Sequence, residues 1–197
     1  MKRVCSLLLS VLVMATIASP VFAHPGHDVP GNGIAAGLLH PLLGWDHLLA
    51  MLTVGLLSVQ IGGRATWLVP ASFVGCMIAG GIGGMLGWGM PAVEFGIALS
   101  VLLLGLAVAL DKRLPIAVPL AFAGLFGLVH GQAHGLEMPH VDSPVLYAVG
   151  FVMATISLHV AGVLFGGQAL KSLRGARRLR LSGAAVAVAG CLLLLAV

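Results

Sequence analysis

The chain has 197 residues, 59% of them hydrophobic and 8% charged, where a soluble domain carries roughly 25% charged residues. With a mean hydropathy of +1.11 there is too little polar surface to cover a water-soluble globule, so lipid is the outer solvent. The sequence pI of about 9.4 does not indicate nucleic acid, because no soluble basic fold is available to bind it.

Residues 1–23 have the three parts of a secretory signal. Lys2-Arg3 is a basic start, Val4 to Ile17 a short apolar stretch, and Val21-Phe22-Ala23 puts small residues at −3 and −1. Cleavage after Ala23 leaves His24 as the first residue of the mature chain, outside the cytoplasm. The alternative, an uncleaved first membrane helix, is disfavoured by Pro20 and by the polar stretch His24 to Asn32. Two domains follow from this reading: 1–23 as signal peptide and 24–197 as a single six-helix transmembrane domain.

Hydrophobic segments then recur with brief polar breaks, giving predicted spans at 34–60, 66–88, 92–110, 115–134, 145–170 and 181–197. Each approaches the ~20 residues needed to cross ~30 Å of hydrocarbon. The ~10-residue alternating segments of a β-barrel are absent, so the expected fold is all-α and polytopic. Glycine is abundant at 28 residues, and Gly80, Gly81, Gly83, Gly84 and Gly87 read as a helix-packing surface, since small residues let membrane helices approach closely. Cys5 lies in the leader and Cys76 and Cys191 in apolar runs, so no disulfide framework or zinc spacing is implied.

Past the leader there are eight Lys/Arg and six Asp/Glu, a net of +2. The bases are Arg64, Lys112, Arg113, Lys171, Arg174, Arg177, Arg178 and Arg180, all in the first, third and fifth predicted connections. The positive-inside rule places those connections in the cytoplasm and the mature N-terminus outside. An exported N-terminus gives the same orientation independently.

Ionisable groups within a bilayer are costly and mark function by default. Here they concentrate. The first span carries His40, Asp46 and His47; the third carries Glu94; the fourth ends in His130, His134 and Glu137. On the predicted topology all seven lie in the outer half of the membrane or at its rim. His130 and His134 are i, i+4, one turn apart on one helix face, a spacing that suits two imidazoles on one metal. Glu137 stays on that face if the helix continues past Gly135. His40 and His47 are seven apart, about 10.5 Å along a straight helix, too far for both to bind one ion. Pro41 weakens the helix there. Either the helix breaks and folds His40 inward, or the two histidines are successive stations on a path.

Imidazoles with carboxylates and no thiolates suit Ni²⁺, Co²⁺ or Zn²⁺ better than Mg²⁺ or Cu⁺. Other polar groups have plainer readings. Glu94 follows Pro91 and complements a helix N-terminus, His159 near Ser157 reads as a hydrogen-bonded structural histidine, and His140 and Asp142 are solvated in a loop. His24 and His27 are either a solvated tail or an auxiliary capture site, because a free N-terminal histidine offers amine and imidazole together.

At these residues the sequence resembles the HupE/UreJ family of nickel and cobalt permeases. The first-span pattern of His, five residues and Asp-His is present as His40, Asp46 and His47. The fourth-span pattern His-Gly-x-Ala-His-Gly-x-Glu is present as His130, Gly131, Ala133, His134, Gly135 and Glu137. Val129 stands where the family often has Phe. The leader, the start His24-Pro25-Gly26-His27 and the six-span layout are also similar. The resemblance implies a bacterial inner-membrane permease that takes up Ni²⁺, sometimes Co²⁺, for hydrogenase or urease maturation, and it implicates the residues of both patterns together with an acid such as Glu94.

No enzymatic activity and no resident cofactor are expected; the partners are a divalent metal ion and membrane lipid, and a homo-oligomer is left open. Lys171-Ser172 follows Leu170 where a P-loop needs Gly, so there is no nucleotide-binding motif and transport is secondary or channel-like. Two other classes compete. Paired histidines from the first and fourth spans suit a b-type haem, although the neighbouring Asp46 and Glu137 do not. A membrane metallo-hydrolase needs a metal-bound water and a base such as Glu137, but no HExxH and no clustered nucleophile occurs.

Overall fold

Apolar segments of this length must satisfy their backbone internally, and helices do so within each segment. The computed structural model describes residues 33–112, 114–136 and 143–197, and among these every regular element is an α-helix. The leader, His24, His27, Glu137, His140 and Asp142 lie outside the described residues. The helices are α1 (Gly33–Leu43), α2 (Trp45–Ile61), α3 (Ala65–Met85), α4 (Val93–Leu110), α5 (Ala117–Leu136), α6 (Pro144–Ala169) and α7 (Leu173–Ala196).

The predicted span 34–60 is two helices. α1 and α2 meet at Gly44 with a bend of 81°, three residues after Pro41, which itself lies inside α1. Gly44 is extended (φ −85°, ψ 113°). The second span ends at Met85, short of the expected 88. Gly87 takes a left-handed φ of 80°, while Trp88 N–H and Gly87 N–H donate to the Gly83 and Gly84 carbonyls, each at 2.9 Å. This is a Schellman stop, so Gly87 is a terminator and not part of the packing surface. The last helix starts at Leu173 rather than 181. Ser172 caps it by accepting the Gly175 N–H at 3.1 Å, which puts Arg174, Arg177, Arg178 and Arg180 on helical turns instead of in a loop.

Four helices (α3, α4, α6 and α7) are long and apolar enough to cross a membrane, and the bent α1–α2 pair makes a fifth if it is one span. α5 falls short on composition because His130, Gln132 and His134 sit among its small residues. Its packing nevertheless follows a full-length neighbour. α5 runs parallel to α3, with Gly127 on Phe73, Gly131 on Met77 and Gly135 on Gly81. A Cβ at any of these three glycines would meet the backbone of α3, so the contact is backbone to backbone, as small residues permit in lipid. The bent pair likewise runs parallel to α6, Gly37 lying on Tyr147 and Gly55 on His159 and Gly162, whereas α4 and α7 are antiparallel, Gly105 facing Ala187 and Gly190 facing Leu102.

The core is formed by residues such as Met51 and Val54 of α2, Phe73 of α3, Val101 of α4, Phe126 of α5 and Phe151 of α6. Large apolar side chains also point outward; Phe165 is 70% exposed and Trp67 65%. An apolar exterior over a packed interior is what a lipid-facing protein presents. At one end of the bundle Gln60 Nε2 donates to the Val108 carbonyl at 3.2 Å, and Arg180 Nε donates to the Ala109 carbonyl at 3.0 Å. A guanidinium there complements the C-terminal end of α4. These bonds gather the α2–α3 turn bearing Arg64, the end of α4 with Lys112, and the basic start of α7 at the same end.

Candidate metal centre

Three elements bring imidazoles together at the opposite end. His40 is in the last turn of α1, His47 in the first turn of α2, and His134 in the last turn of α5. The 81° bend at Gly44 folds His40 back over His47, so two residues too far apart on a straight helix become neighbours. Ring centroids are 6.0 Å apart for His40–His47, 4.8 Å for His40–His134 and 4.4 Å for His47–His134. One nitrogen from each of the three lies within 4.8 Å of the others. Nitrogens bound to a first-row ion at ~2.0–2.1 Å sit ~3–3.4 Å from one another. The observed nitrogens are thus at most about 1.4 Å farther apart than the wider of those spacings on a bound ion.

Hydrogen bonds fix the direction of two rings. Asp46 Oδ1 accepts from the His47 backbone N–H at 2.8 Å and pairs with His47 Nδ1 at 2.5 Å. This leaves His47 Nε2 buried and without a partner among the described residues. His130, fully buried one turn below His134, donates from Nδ1 to the Phe126 carbonyl at 2.8 Å, and its Nε2 is likewise unpartnered. A ring held at one nitrogen by a carboxylate or a carbonyl, with the other nitrogen bare, is the arrangement that orients metal-binding histidines. His134 has neither nitrogen bonded among the described residues. The His130 ring centroid is 5.3 Å from that of His47, so it stands behind the trio. Gly44 makes room for the pair, because a Cβ there would lie 3.0 Å from Asp46 Oδ1 and 3.1 Å from His47 Nδ1.

The HupE / UreJ protein family model matches residues 12–193, which is most of the chain and contains every donor just described. The chain belongs to the HupE/UreJ family. It is 42% identical over 185 residues to Protein HupE of Rhizobium leguminosarum bv. viciae, covering 92% of this chain and 94% of that protein. No solved structure matches it. The HupE/UreJ family is linked to nickel and cobalt uptake for hydrogenase and urease.

In this HupE/UreJ chain the sequence patterns map unevenly onto the geometry. His40, His47 and His134 converge, with His130 adjoining. Asp46 is outside the three-histidine group; its Oδ1 pairs with His47 Nδ1 and leaves Nε2 as the bare nitrogen of that ring. Glu94 is in the first turn of α4 and exposed, outside the three-histidine group. Glu137, His24 and His27 lie outside the described residues. His159 differs from its expected role. Its ring makes no hydrogen bond among the described residues, and Ser157 Oγ donates to the Met153 carbonyl at 2.8 Å instead.

Aromatic walls were not foreseen. Phe151 of α6 packs on His134 at 4.2 Å and on His40 at 6.0 Å, and Tyr147 lies 5.9 Å from His40. Both are ordinary aromatic residues of an apolar run, and their position depends on the parallel packing of α6 against α1, which no local pattern announces.

Proposed function

We propose that this protein carries a divalent first-row cation, Ni²⁺ and secondarily Co²⁺, from the periplasm to the cytoplasm across the bacterial inner membrane, in support of hydrogenase or urease maturation. One observation carries the reading: three imidazoles from three helices of an apolar bundle offer nitrogens within 4.8 Å of one another. Neutral imidazoles favour Ni²⁺, Co²⁺ and Zn²⁺ over oxygen-seeking ions. Membership of the HupE/UreJ family selects nickel or cobalt among these.

The proposed topology is a cleaved leader, six crossings and an outer N-terminus. It is supported by helix directions. In six alternating crossings the second and fourth spans run the same way, as do the first and fifth, while the third and sixth run oppositely; α3 with α5, the α1–α2 pair with α6, and α4 with α7 pack in those senses. Gathering of Arg64, Lys112 and Arg180 at one end supports a cytoplasmic assignment for that end. The histidine trio then belongs to the outer half.

In this reading His24 and His27 capture the ion, and Glu94 and Glu137 raise its concentration at the mouth. His40, His47 and His134 replace its water shell, with Asp46 holding His47 and His130 receiving the ion one turn deeper. An inside-negative potential of 100 mV contributes about 2.3 kcal/mol per charge to inward movement. Uptake of radiolabelled nickel by cells expressing wild type, His47→Ala and His134→Ala tests the mechanism. Each variant is expected to lose most uptake at equal protein level; wild-type rates in both would sink the proposal.

A further inference from the structure

His159 is 2% exposed in the interior of α6, and neither of its ring nitrogens has a hydrogen-bond partner among the described residues. An imidazole left this way is costly to bury, and it lies outside both motifs of the outer site. Its surroundings give it a direction. On one side its ring meets Phe73 of α3 edge-on at a centroid distance of 5.2 Å, and the same Phe73 ring lies 5.3 Å from His130. On the other side it borders an open groove of about 440 Å³ between α3 and α6. Trp67, Pro70 and Val74 form one wall and Ile156, Val160 and Val163 the other; Trp67, Ile156 and Val160 are exposed, so the groove faces outward.

Depth orders these groups. His130 is one turn, about 6 Å, from His134 toward the start of α5, and His159 is eight residues, about 12 Å, beyond Phe151 toward the end of α6. Both displacements point to the end that carries Arg64, Lys112 and Arg180.

We propose that His159 is a second, inner binding station for the transported divalent cation, reached from His130 past the Phe73 ring. The proposal rests on the transport reading above and adds the inner half of the path. A single imidazole holds a cation weakly. Weak binding is what an exit station needs, because conduction requires sites that bind well enough to enter and loosely enough to leave. His159 therefore acts on the rate of passage and not on equilibrium affinity, which the three outer imidazoles set.

The full-length protein is compared as wild type, His159→Ala, His159→Gln, His47→Ala and His134→Ala for radiolabelled Ni²⁺ uptake in cells. Each is also compared for Ni²⁺ binding and thermal stability after purification. Both His159 variants are expected to lose at least tenfold in uptake rate while Ni²⁺ affinity stays within twofold of wild type. His159→Cys, which restores a ligand, is expected to recover part of the rate. Uptake within twofold of wild type in His159→Gln overturns the inner station. So does a loss of uptake matched by lost binding and stability, or failure of both substitutions to fold, since His159 then serves the fold. If His47→Ala and His134→Ala also transport normally, the transport reading itself has failed; if they do not, only the inner station has.

Discussion

Asp46 is the residue whose role differs most between motif and geometry, and Asp46→Asn separates the two. As a direct ligand it would supply an oxygen to the ion. In the structure its Oδ1 instead takes two bonds from His47, the backbone N–H at 2.8 Å and Nδ1 at 2.5 Å. Asparagine keeps an acceptor for both but removes the charge. A hydrogen bond to a charged group contributes about 1.5–3 kcal/mol and a neutral one about 0.5–1.5, so the loss is about 1–2 kcal/mol. Removal of a partner behind a ligand typically lowers metal affinity ten- to a hundredfold, and each tenfold is about 1.4 kcal/mol. The two routes agree on a weakening of about tenfold or somewhat more. Calorimetric titration of Ni²⁺ into the purified protein measures it, and X-ray absorption counts the imidazoles, expected to be unchanged. Affinity within twofold of wild type would refute the positioning role, as would the disappearance of a bound carboxylate oxygen in the variant.

Gly44→Ala places a methyl 3.0 Å from Asp46 Oδ1 and 3.1 Å from His47 Nδ1; several-fold weaker Ni²⁺ binding is expected at nearly unchanged melting temperature, checked on the same titration. Gly131→Ala drives a Cβ into the Met77 carbonyl on α3, an overpacking that costs about 1–3 kcal/mol and lowers the melting temperature in detergent. Gly75→Ala, where a Cβ meets nothing within 4 Å, should leave it unchanged. Ni²⁺ at a hundred times its dissociation constant stabilises the folded state by about 2.7 kcal/mol, so thermal unfolding should shift upward with metal, and His134→Ala should abolish the shift.

The helices were legible because lipid imposes long apolar helices, and their ends were missed where a local device intervened, by three residues at the end of α3 and eight at the start of α7. Gly87 stops α3 early through a Schellman bond pair, and Ser172 starts α7 early, which turned an expected basic loop into helical turns. The donors were legible because imidazoles and carboxylates are conspicuous in apolar sequence. Their convergence was only half legible. Pro41 marked the weak point, but the bend falls at Gly44, where the backbone is extended and a Cβ would crowd the Asp46–His47 pair. Glu94 and His40 carried equal weight as sequence features, yet the fold folds one into the cluster and leaves the other exposed. His159 gave no sign of its bare nitrogens, since the partner expected for it, Ser157, sits two residues away and bonds the α6 backbone instead.

Six buried imidazole nitrogens, on His47, His130, His134 and His159, have no hydrogen-bond partner among the described residues. An unsatisfied buried polar atom costs about 1–3 kcal/mol, a large fraction of the marginal stability of a folded chain, so a structure selected for stability alone would have tied these rings down. Two of them are tied, but at one nitrogen only: Asp46 and the Phe126 carbonyl fix His47 and His130 and leave the other nitrogen free. A divalent cation satisfies such nitrogens when it arrives, and the same nitrogens remain without competing partners when it leaves. A second hydrogen bond on each ring would stabilise the empty protein and would have to be broken at every ion entry. In the proposed transport the bare nitrogens are the condition for passage: a polar interior left underbonded is completed by a moving ion and not by a fixed neighbour.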